Sequence, residues 1–222
     1  VIEIFRQLGG YTMGQADNIR RAISKKKMKV IEAERKVFVY GDKENNIAGS
    51  FFLIGNLVTE DKKSILERQL TLGCEICNHS YTHSDMSKMS AEEIKEEISK
   101  TSAVIKEMVG VDTKFFRPPY ILVSDTMYEN IDLPFICGAD SIDWNPETSA
   151  QDRINEVLKK VSDGSLVLMH DLYNNDKTLE ALPVIIEKLK EQGYEFATAS
   201  QIFEQKGINP NVKNKLWSNV FD

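Results

Sequence analysis

The residues of this chain that could do chemistry begin with its histidines, of which there are three. His79 and His83 are separated by three residues, a spacing that places two imidazoles on one side of a tight loop or a helical turn. Neutral imidazole is a good ligand for Zn²⁺, and also for Co²⁺ or Ni²⁺. The pair therefore predicts a divalent metal site, most simply zinc, although a purely structural histidine pair can have the same spacing. A catalytic zinc site would need a third protein ligand and an open position for water.

The third histidine, His170, follows an apolar segment at residues 166–169 that is typical of a buried strand. A histidine at this place can donate a proton or can simply belong to the core. All three histidines of the chain lie in short motifs of this kind, which favours a functional role for His170.

Strands and helices alternate along the chain from about Gly49 onward, which predicts an α/β fold with a parallel sheet. The predicted strands cover residues 50–55, 74–78, 114–117, 135–139, 165–169 and 195–198. Predicted helices cover residues 59–72, 152–161, 178–192 and 199–205. A further long helix begins after Ser90, which forms a capping box with Glu93, and ends at Gly110.

Each candidate site residue lies at, or just after, the C-terminal end of a predicted strand. Ligands bind at that edge in parallel α/β sheets and barrels. The sequence therefore predicts that the histidines and the polar residues of the neighbouring motifs converge on one face of the fold.

Four motifs in this order carry a resemblance to a known family. They are His79-Ser80-Tyr81-Thr82-His83, Arg117-Pro118-Pro119-Tyr120, Asp140-Ser141-Ile142-Asp143-Trp144 and Leu166-Val167-Leu168-Met169-His170. Together they resemble the active site of the polysaccharide deacetylases of carbohydrate esterase family 4. The resemblance implies a distorted (β/α) barrel over residues 49–222. It also implies metal-assisted removal of acetyl groups from a carbohydrate such as acetylxylan, a chitin oligomer or peptidoglycan.

The resemblance also implies roles for individual residues. His79 and His83 correspond to metal ligands, and His170 corresponds to the general acid. Asp143 resembles the carboxylate that holds this imidazole, and Arg117 resembles the arginine that pairs with a catalytic base.

The substrate-binding residues implied by the resemblance lie in the same motifs. The backbone N–H of Tyr120 would help to polarise the oxyanion. Trp144 and Leu168 would form walls of the acetyl pocket, although a tryptophan taken alone is more often a core residue. The remaining implied substrate-binding residues are Asp140 and Pro119. One departure is Ile121, which stands where the family usually has glycine and could crowd the groove.

A second departure bears on catalysis, because the family begins its domain with a TFDDG motif. The first aspartate of that motif is the general base and the second is the third metal ligand, but no Asp-Asp pair occurs in this chain. Asp42 is a poor substitute, because it is a single carboxylate and only seven residues separate it from Ser50. A parallel crossover needs about a dozen or more residues.

The absent pair leads us to expect a barrel without its first strand and weak or no turnover. Arg117 would then pair with another carboxylate, such as Asp140, or have no partner. A non-catalytic carbohydrate-binding remnant of the fold is the alternative.

Residues 1–48 differ from the remainder in charge. Residues 1–49 contain ten basic and six acidic side chains, whereas the remainder contains 18 and 28. The stretches at residues 9–17 and 20–27 resemble part of the alpha subunit of bacterial DNA polymerase III. We therefore expect a helical, basic and foreign segment at residues 1–48, joined by gene fusion or as an assembly artefact, and a deacetylase-like domain at 49–222. An ordinary helical extension is the alternative.

The composition limits the partners of the chain. Its net charge of −6 opposes nucleic-acid binding, although residues 1–48 leave that possibility open as a third function class. No apolar run approaches the roughly 20 residues of a membrane span, and the first five residues lack the features of a signal peptide. Cys74, Cys77 and Cys137 are too few for a disulfide framework. A monomer that binds a carbohydrate is expected.

Overall fold

The computed structural model of the protein describes residues 47–171 and 175–222. Its strands are β1 (Ser50–Leu53), β2 (Glu75–Asn78), β3 (Phe135–Ile136), β4 (Ala139–Asp140), β5 (Val167–Leu168) and β6 (Leu216–Trp217). Its α-helices are α1 (Lys63–Thr71), α2 (Ala91–Val109), α3 (Asp125–Asn130), α4 (Ala150–Lys160), α5 (Asp176–Glu191) and α6 (Ala199–Lys206). The order of these elements confirms the α/β class.

The strands pair in parallel, as the alternation of elements predicts. β1 pairs with β2, β3 with β6, and β4 with β5. Two single bridges, from Asn78 to Phe116 and from Phe116 to Phe135, connect β2 to β3. Within the described residues β1 has β2 as its one partner strand. The segment before Asp42, weighed as a source of a first strand, lies outside those residues.

The predicted strand at residues 135–139 is divided into β3 and β4 at Gly138. A Cβ atom on Gly138 would lie 2.8 Å from the carbonyl oxygen of Leu166, so glycine permits this close approach of two backbones. The first half then pairs with β6 and the second half with β5. The division allows one stretch of chain to contact two different neighbours.

Two other predicted strands are reduced or absent. Residues 114–117 contribute the single bridge residue Phe116, and residues 195–198 are irregular. A strand is defined by a hydrogen-bonded neighbour, and no described strand is hydrogen-bonded to residues 195–198. The prediction of a strand there was therefore wrong, because apolar content alone does not supply a partner.

Four of the six described α-helices begin at a residue whose side chain caps them. Ser90 and Glu93 form both hydrogen bonds of a capping box at the start of α2, and Gly110 ends that helix in the left-handed conformation. Ser149 and Asp152 form a second capping box, which starts α4 two residues before the predicted helix. Capping thus fixes the helix boundaries more closely than hydrophobic periodicity does.

Apolar contacts hold the helices to the strands in several clusters. One cluster joins β2, β3, α6 and β6 through side chains that include Cys77, Ile136, Phe203 and Trp217. Another joins α4 to α5 through Ile154, Val157, Ala181, Ile185 and Leu189. Met169, the residue before His170, packs against this second cluster.

The cysteines do not form disulfide bonds, as their small number predicts. Cys74, Cys77 and Cys137 are all free thiols. Cys77 is buried, and desolvation raises the pKa of its thiol well above the ordinary value, as expected for a core residue. No helix in residues 47–171 and 175–222 is both long and apolar enough to cross a membrane.

Gly55 provides a test of the packing between β1 and α2. A Cβ atom there would lie 2.5 Å from Thr101 Oγ1 and 2.7 Å from Tyr81 Cδ2, whereas one on Gly49 would meet nothing within 4 Å. Neither glycine has a positive φ. Gly55→Ala should therefore lower the free energy of unfolding by about 1–3 kcal/mol. Gly49→Ala should change it by less than about 0.5 kcal/mol. Urea unfolding measures both, and equal effects would contradict this packing.

Candidate metal centre and active site

The end of β2 delivers His79 into the site. His79 is only 6% exposed, and its Nδ1 lies 2.6 Å from the carbonyl oxygen of Arg117. Because a carbonyl oxygen can only accept, Nδ1 carries the hydrogen and Nε2 keeps a free lone pair. Burial, reinforced by the Arg117 charge, lowers the pKa of His79 to about 3. The imidazole is therefore neutral near pH 7, in the form that binds metals.

The loop after β2 brings His83 against His79. The two ring centroids are 4.7 Å apart in an edge-to-face arrangement. The backbone N–H of His83 donates to Ser80 Oγ over 3.0 Å, which closes the loop. Burial and the charges of Arg117 and His170 lower the pKa of His83 as well. The spacing of the motif therefore places two neutral imidazoles side by side.

The two imidazoles fit half of a tetrahedral zinc site. A group of three or more His, Cys, Asp and Glu side chains suited to a metal is absent from the described part of the chain. Asp42, the one candidate weighed for the third position, lies outside that part. The described residues therefore offer two nitrogen ligands, one from His79 and one from His83, and nitrogen ligands suit zinc, cobalt or nickel.

Arg117 lies beside the histidine pair, directly after the bridge residue Phe116. Its guanidinium carbon is 4.9 Å from the centroid of the Phe52 ring. Burial lowers the pKa of Arg117 to about 10, while the carboxylates of Asp171 and Asp143 oppose this shift. Arg117 stays charged at pH 7, and it forms no ion pair with any residue that the structure describes.

Asp140, considered above as an alternative partner for Arg117, is engaged elsewhere. Its carboxylate accepts hydrogen bonds from the Trp144 indole N–H over 3.1 Å and from the Ile142 backbone N–H over 2.8 Å. The sequence left open whether Arg117 pairs with another carboxylate or has no partner. Within the described residues it has no ion-pair partner. A partly buried, unpaired guanidinium next to two imidazoles is suited to hold an anion.

His170 and Asp143 are in direct contact. The Nδ1 of His170 lies 2.7 Å from Asp143 Oδ1, and Asp143 Oδ2 accepts the His170 backbone N–H over 2.7 Å. Burial raises the pKa of Asp143, but the hydrogen bonds from His170 outweigh burial and the net pKa is lowered. Asp143 is thus ionised and fixes the hydrogen on Nδ1, which leaves Nε2 of His170 to exchange protons.

A buried arginine behind this pair was missed in the sequence. Arg153 is 1% exposed, and its Nη1 donates to Thr178 Oγ1 over 2.7 Å. The Thr178 hydroxyl in turn donates to Asp143 Oδ2 over 3.0 Å. Arg153 Nη1 also donates to Asn175 Oδ1, and Asn175 donates to the His170 carbonyl over 3.3 Å. The available signal was the position of Arg153 on the apolar stripe of α4.

The predicted substrate-binding residues differ in their exposure to solvent. Tyr120 is exposed, and its ring centroid is 4.9 Å from that of His83. Trp144 is also exposed, so it is not the core residue that its type alone would suggest. Pro119 and Leu168 are buried beneath the surface. The exposed aromatic side chains are therefore available to a ligand, whereas Pro119 and Leu168 are not.

Backbone strain is concentrated in these motifs. Among the described residues other than glycine, six have a positive φ, and Asn214 is the one that lies away from the motifs. Ser80, His83, Tyr120 and Ile142 lie inside the motifs, and Ile121 directly follows the second one. Strained conformations of this kind persist where surrounding contacts over-determine them, and they cluster at functional sites.

Ile121 and Ile142 are the most unfavourable of these residues, because each has a β-branched side chain at a positive φ, 58° for Ile121 and 57° for Ile142. Ile121→Gly should raise the free energy of unfolding by about 1 kcal/mol by relieving this strain. Leu122→Gly, at an ordinary φ of −85°, is the matched control. It should lower the same free energy by about 0.5–1 kcal/mol. Urea unfolding of both variants checks the prediction, and a destabilising Ile121→Gly would contradict it.

The lowered pKa of His79 predicts a pH dependence of stability in the metal-free protein. With a folded-state pKa of about 3 and an ordinary value of 6.5, the unfolded chain binds more protons between these values. The contribution of His79 to the free energy of unfolding is therefore fully present above pH 6.5, and it is lost as the pH falls from 6.5 towards 3. Between pH 7.5 and pH 5 in EDTA, His79 should account for a loss of up to about 2 kcal/mol. The loss should shrink in His79→Gln, and an identical loss in both proteins would refute the assignment.

Family models match two parts of the chain. The polysaccharide deacetylase model matches residues 43–133. The model of the bacterial DNA polymerase III alpha subunit finger domain matches residues 1–46, which the structure does not describe. Both matches agree with the resemblances noted in the sequence.

A curated relative and several solved structures are similar to the chain. A bifunctional xylanase/deacetylase from Pseudobutyrivibrio xylanivorans is 54% identical over 175 residues, which are 79% of this chain and 29% of that protein. The chain thus spans less than a third of the relative's length. The Xyl-CE4 domain of a multidomain xylanase from the hindgut metagenome of Trinervitermes trinervoides is 52% identical with a TM-score of 0.78, and the match covers 79% of this chain and 85% of that domain.

Two further structures bear on the chemistry. A family 4 acetyl xylan esterase from Clostridium thermocellum, solved with a cobalt ion, is 37% identical with a TM-score of 0.76, over 84% of this chain and 89% of that one. A CE4 family pseudoenzyme from Bacillus anthracis is 29% identical with a TM-score of 0.64, over 72% and 57% of the two chains. The fold, the ordered motifs and these matches together show that the chain belongs to the polysaccharide deacetylase family, carbohydrate esterase family 4.

Proposed function

We propose that this chain contains the metal-binding and acid parts of a carbohydrate deacetylase site that acts on acetylated xylan. The observation that supports it most strongly is the neutral His79–His83 pair, whose ring centroids are 4.7 Å apart and whose pKa values are lowered chiefly by burial, with a smaller effect of the His170 charge. The chemistry that a divalent cation supplies there, when bound, is Lewis-acid polarisation of the acetyl carbonyl and activation of water. His79 and His83 are the residues that would hold it.

His170 has the geometry of a general acid in this reaction. Hydrolysis joins the oxygen of water to the acetyl carbon and breaks the bond to the sugar oxygen, which must then take up a proton. Asp143 keeps Nδ1 of His170 protonated, so that Nε2 is the nitrogen that delivers this proton. Arg117, which has no ion-pair partner among the described residues, would contribute a positive charge beside the acetyl group, and the Tyr120 N–H would help to stabilise the oxyanion.

Two functions of the site have no residue assigned in the described chain, namely the general base and the third metal ligand. The sequence has no Asp-Asp pair, and Asp42 remains a poor candidate for the reasons given by its spacing. We therefore infer weak metal binding and impaired turnover. The pseudoenzyme from Bacillus anthracis supports the alternative of a non-catalytic carbohydrate-binding protein with this fold.

The choice of acetylxylan comes from the relatives rather than from the groove. The bifunctional xylanase/deacetylase and the acetyl xylan esterase carry xylan in their names. The exposed rings of Tyr120 and Trp144 offer flat apolar faces of the kind that line small-molecule sites. Chitin oligomers and peptidoglycan remain the competing substrates.

The proposed organisation of the chain is a monomer with a division near residue 48. Residues 1–48 would form a foreign segment that contributes nothing to the site, and the deacetylase-like domain would follow. The excess of acidic residues after position 49 opposes nucleic-acid binding by the chain as a whole.

The metal site is tested by zinc titration of the full chain and of two variants. Two imidazoles and water hold a cation loosely, so Zn²⁺ should bind weakly. Because the pKa of His79 is lowered to about 3 and that of His83 is also lowered, this binding should persist below pH 6, where a free imidazole with a pKa of about 6.5 would be protonated. His79→Ala should abolish binding, and Asp42→Ala should leave it unchanged. Loss of tight binding in Asp42→Ala would identify Asp42 as the third ligand.

Turnover is tested by acetate release from acetylated xylan oligomers with added Zn²⁺ or Co²⁺. The expected rate is low or zero, and any release should disappear in His170→Ala. Oligomer binding without release would favour the non-catalytic alternative. A rate typical of enzymes in the unmodified chain would show that our account of the missing base is wrong.

A further inference from the structure

Glu97 is an acidic residue on the buried side of a helix. It lies on α2 between Ile94 and Thr101, and all three side chains are buried. Glu97 itself is 9% exposed. Burying a carboxylate is unfavourable unless charge partners or hydrogen bonds compensate it, so its surroundings should show what it binds.

Those surroundings consist of the loop that carries the histidine pair. One oxygen of Glu97 accepts the backbone N–H groups of Tyr81 over 2.8 Å and Thr82 over 2.9 Å. The other oxygen accepts the Thr82 hydroxyl over 2.8 Å. Within the described residues no cation lies at ion-pair distance from Glu97. Among the described residues, the carboxylate is therefore held by hydrogen bonds from the loop between His79 and His83, without an ion pair.

The loop needs such a partner because its conformation is strained. Ser80 and His83 both have positive φ, at 63° and 60°, on either side of the Tyr81–Thr82 pair. Hydrogen bonds to a charged acceptor are roughly twice as strong as neutral ones. Two backbone bonds and one hydroxyl bond to a carboxylate can thus fix a turn that the residue types alone would not favour.

The other polar groups of the loop already have partners. The carbonyl oxygens of Ser80 and Tyr81 accept N–H groups from Gly55 and Asn56 over 2.9 and 3.0 Å. The N–H of Ser80 donates to Asn78 Oδ1 over 2.9 Å. Glu97 therefore completes the set, and its removal would leave two backbone N–H groups without a protein acceptor.

We propose that Glu97 is a positioning residue that fixes the His79–His83 loop in the geometry needed to bind a metal. It contacts neither histidine ring and acts through the backbone between them. The importance of this role rests on the proposed function, but the fixation of the loop can be measured without it. Outer-shell partners of metal ligands typically contribute about 10–100-fold to metal affinity.

The experiment compares four variants with the unmodified full chain. Glu97→Ala removes the acceptor. Glu97→Asp keeps the charge but is one methylene too short to reach the loop. Glu97→Gln keeps a carbonyl oxygen for the two N–H groups and presents an amide to the Thr82 hydroxyl. Glu96→Ala, at the exposed neighbouring position, is the matched control.

Two quantities are measured for each protein. The first is the amide exchange rate of Tyr81 and Thr82 by NMR in the metal-free chain, with the amides of α4 as a reference for global stability. The second is the affinity for Zn²⁺ by competition titration. Glu97→Ala and Glu97→Asp should speed exchange at both loop amides by at least about tenfold and weaken zinc by about 10–100-fold, with the α4 amides unchanged. Glu97→Gln should stay within about threefold of the unmodified chain, and Glu96→Ala should match it.

Each outcome decides the proposal. Unchanged loop exchange in Glu97→Ala would overturn it, and so would changed exchange with unchanged zinc affinity. If Glu97→Ala fails to fold, Glu97→Asp decides the same two points. A chain that binds no zinc at all defeats the proposed function, whereas the exchange rates still decide whether Glu97 fixes the loop.

Discussion

The hydrogen bond between His79 Nδ1 and the carbonyl oxygen of Arg117 is the contact on which the site depends. It joins the chain after β2 to the segment after Phe116, so that two distant motifs share one position. It also fixes the tautomer of His79 and leaves Nε2 free for a cation. Burial keeps both imidazoles neutral, and the Arg117 charge carried by the same segment adds to this effect. A single backbone acceptor thus sets the tautomer of His79, whereas burial is the main reason that the imidazole is neutral.

Buried polar networks support the two halves of the site from different helices. On the metal side, Glu97 of α2 accepts the N–H groups of the histidine loop. On the acid side, Arg153 of α4 and Thr178 of α5 support Asp143, which contacts His170. Charged groups so deeply buried are unfavourable without hydrogen bonds, and here each has several. The helices therefore do more than cover the strands, because they set the orientation of the residues that would react.

The sequence predicted what depends on local pattern and missed what depends on distant contact. Ser90, Glu93 and Gly110 were sufficient to define α2, since capping is a local property. The division at Gly138 and the lack of a strand at residues 195–198 depend on neighbouring chain segments, so apolar pattern could not reveal them. The four motifs identified the residues that converge. Arg153 and Glu97 lie on the apolar sides of α4 and α2, but a charged residue on a helix is ordinarily exposed, so their positions alone did not predict burial.

The central claim is that His79, through Nε2, and His83, through a ring nitrogen, hold a divalent cation although the sequence has no Asp-Asp pair. X-ray absorption spectroscopy at the zinc edge, on the full chain with less than one equivalent of Zn²⁺, counts the imidazoles bound to the ion. The account predicts two imidazoles, with oxygen ligands completing the shell, and loss of both the imidazole signal and the bound zinc in His79→Ala. A spectrum without imidazole scattering, or one that is the same in His79→Ala, would contradict it.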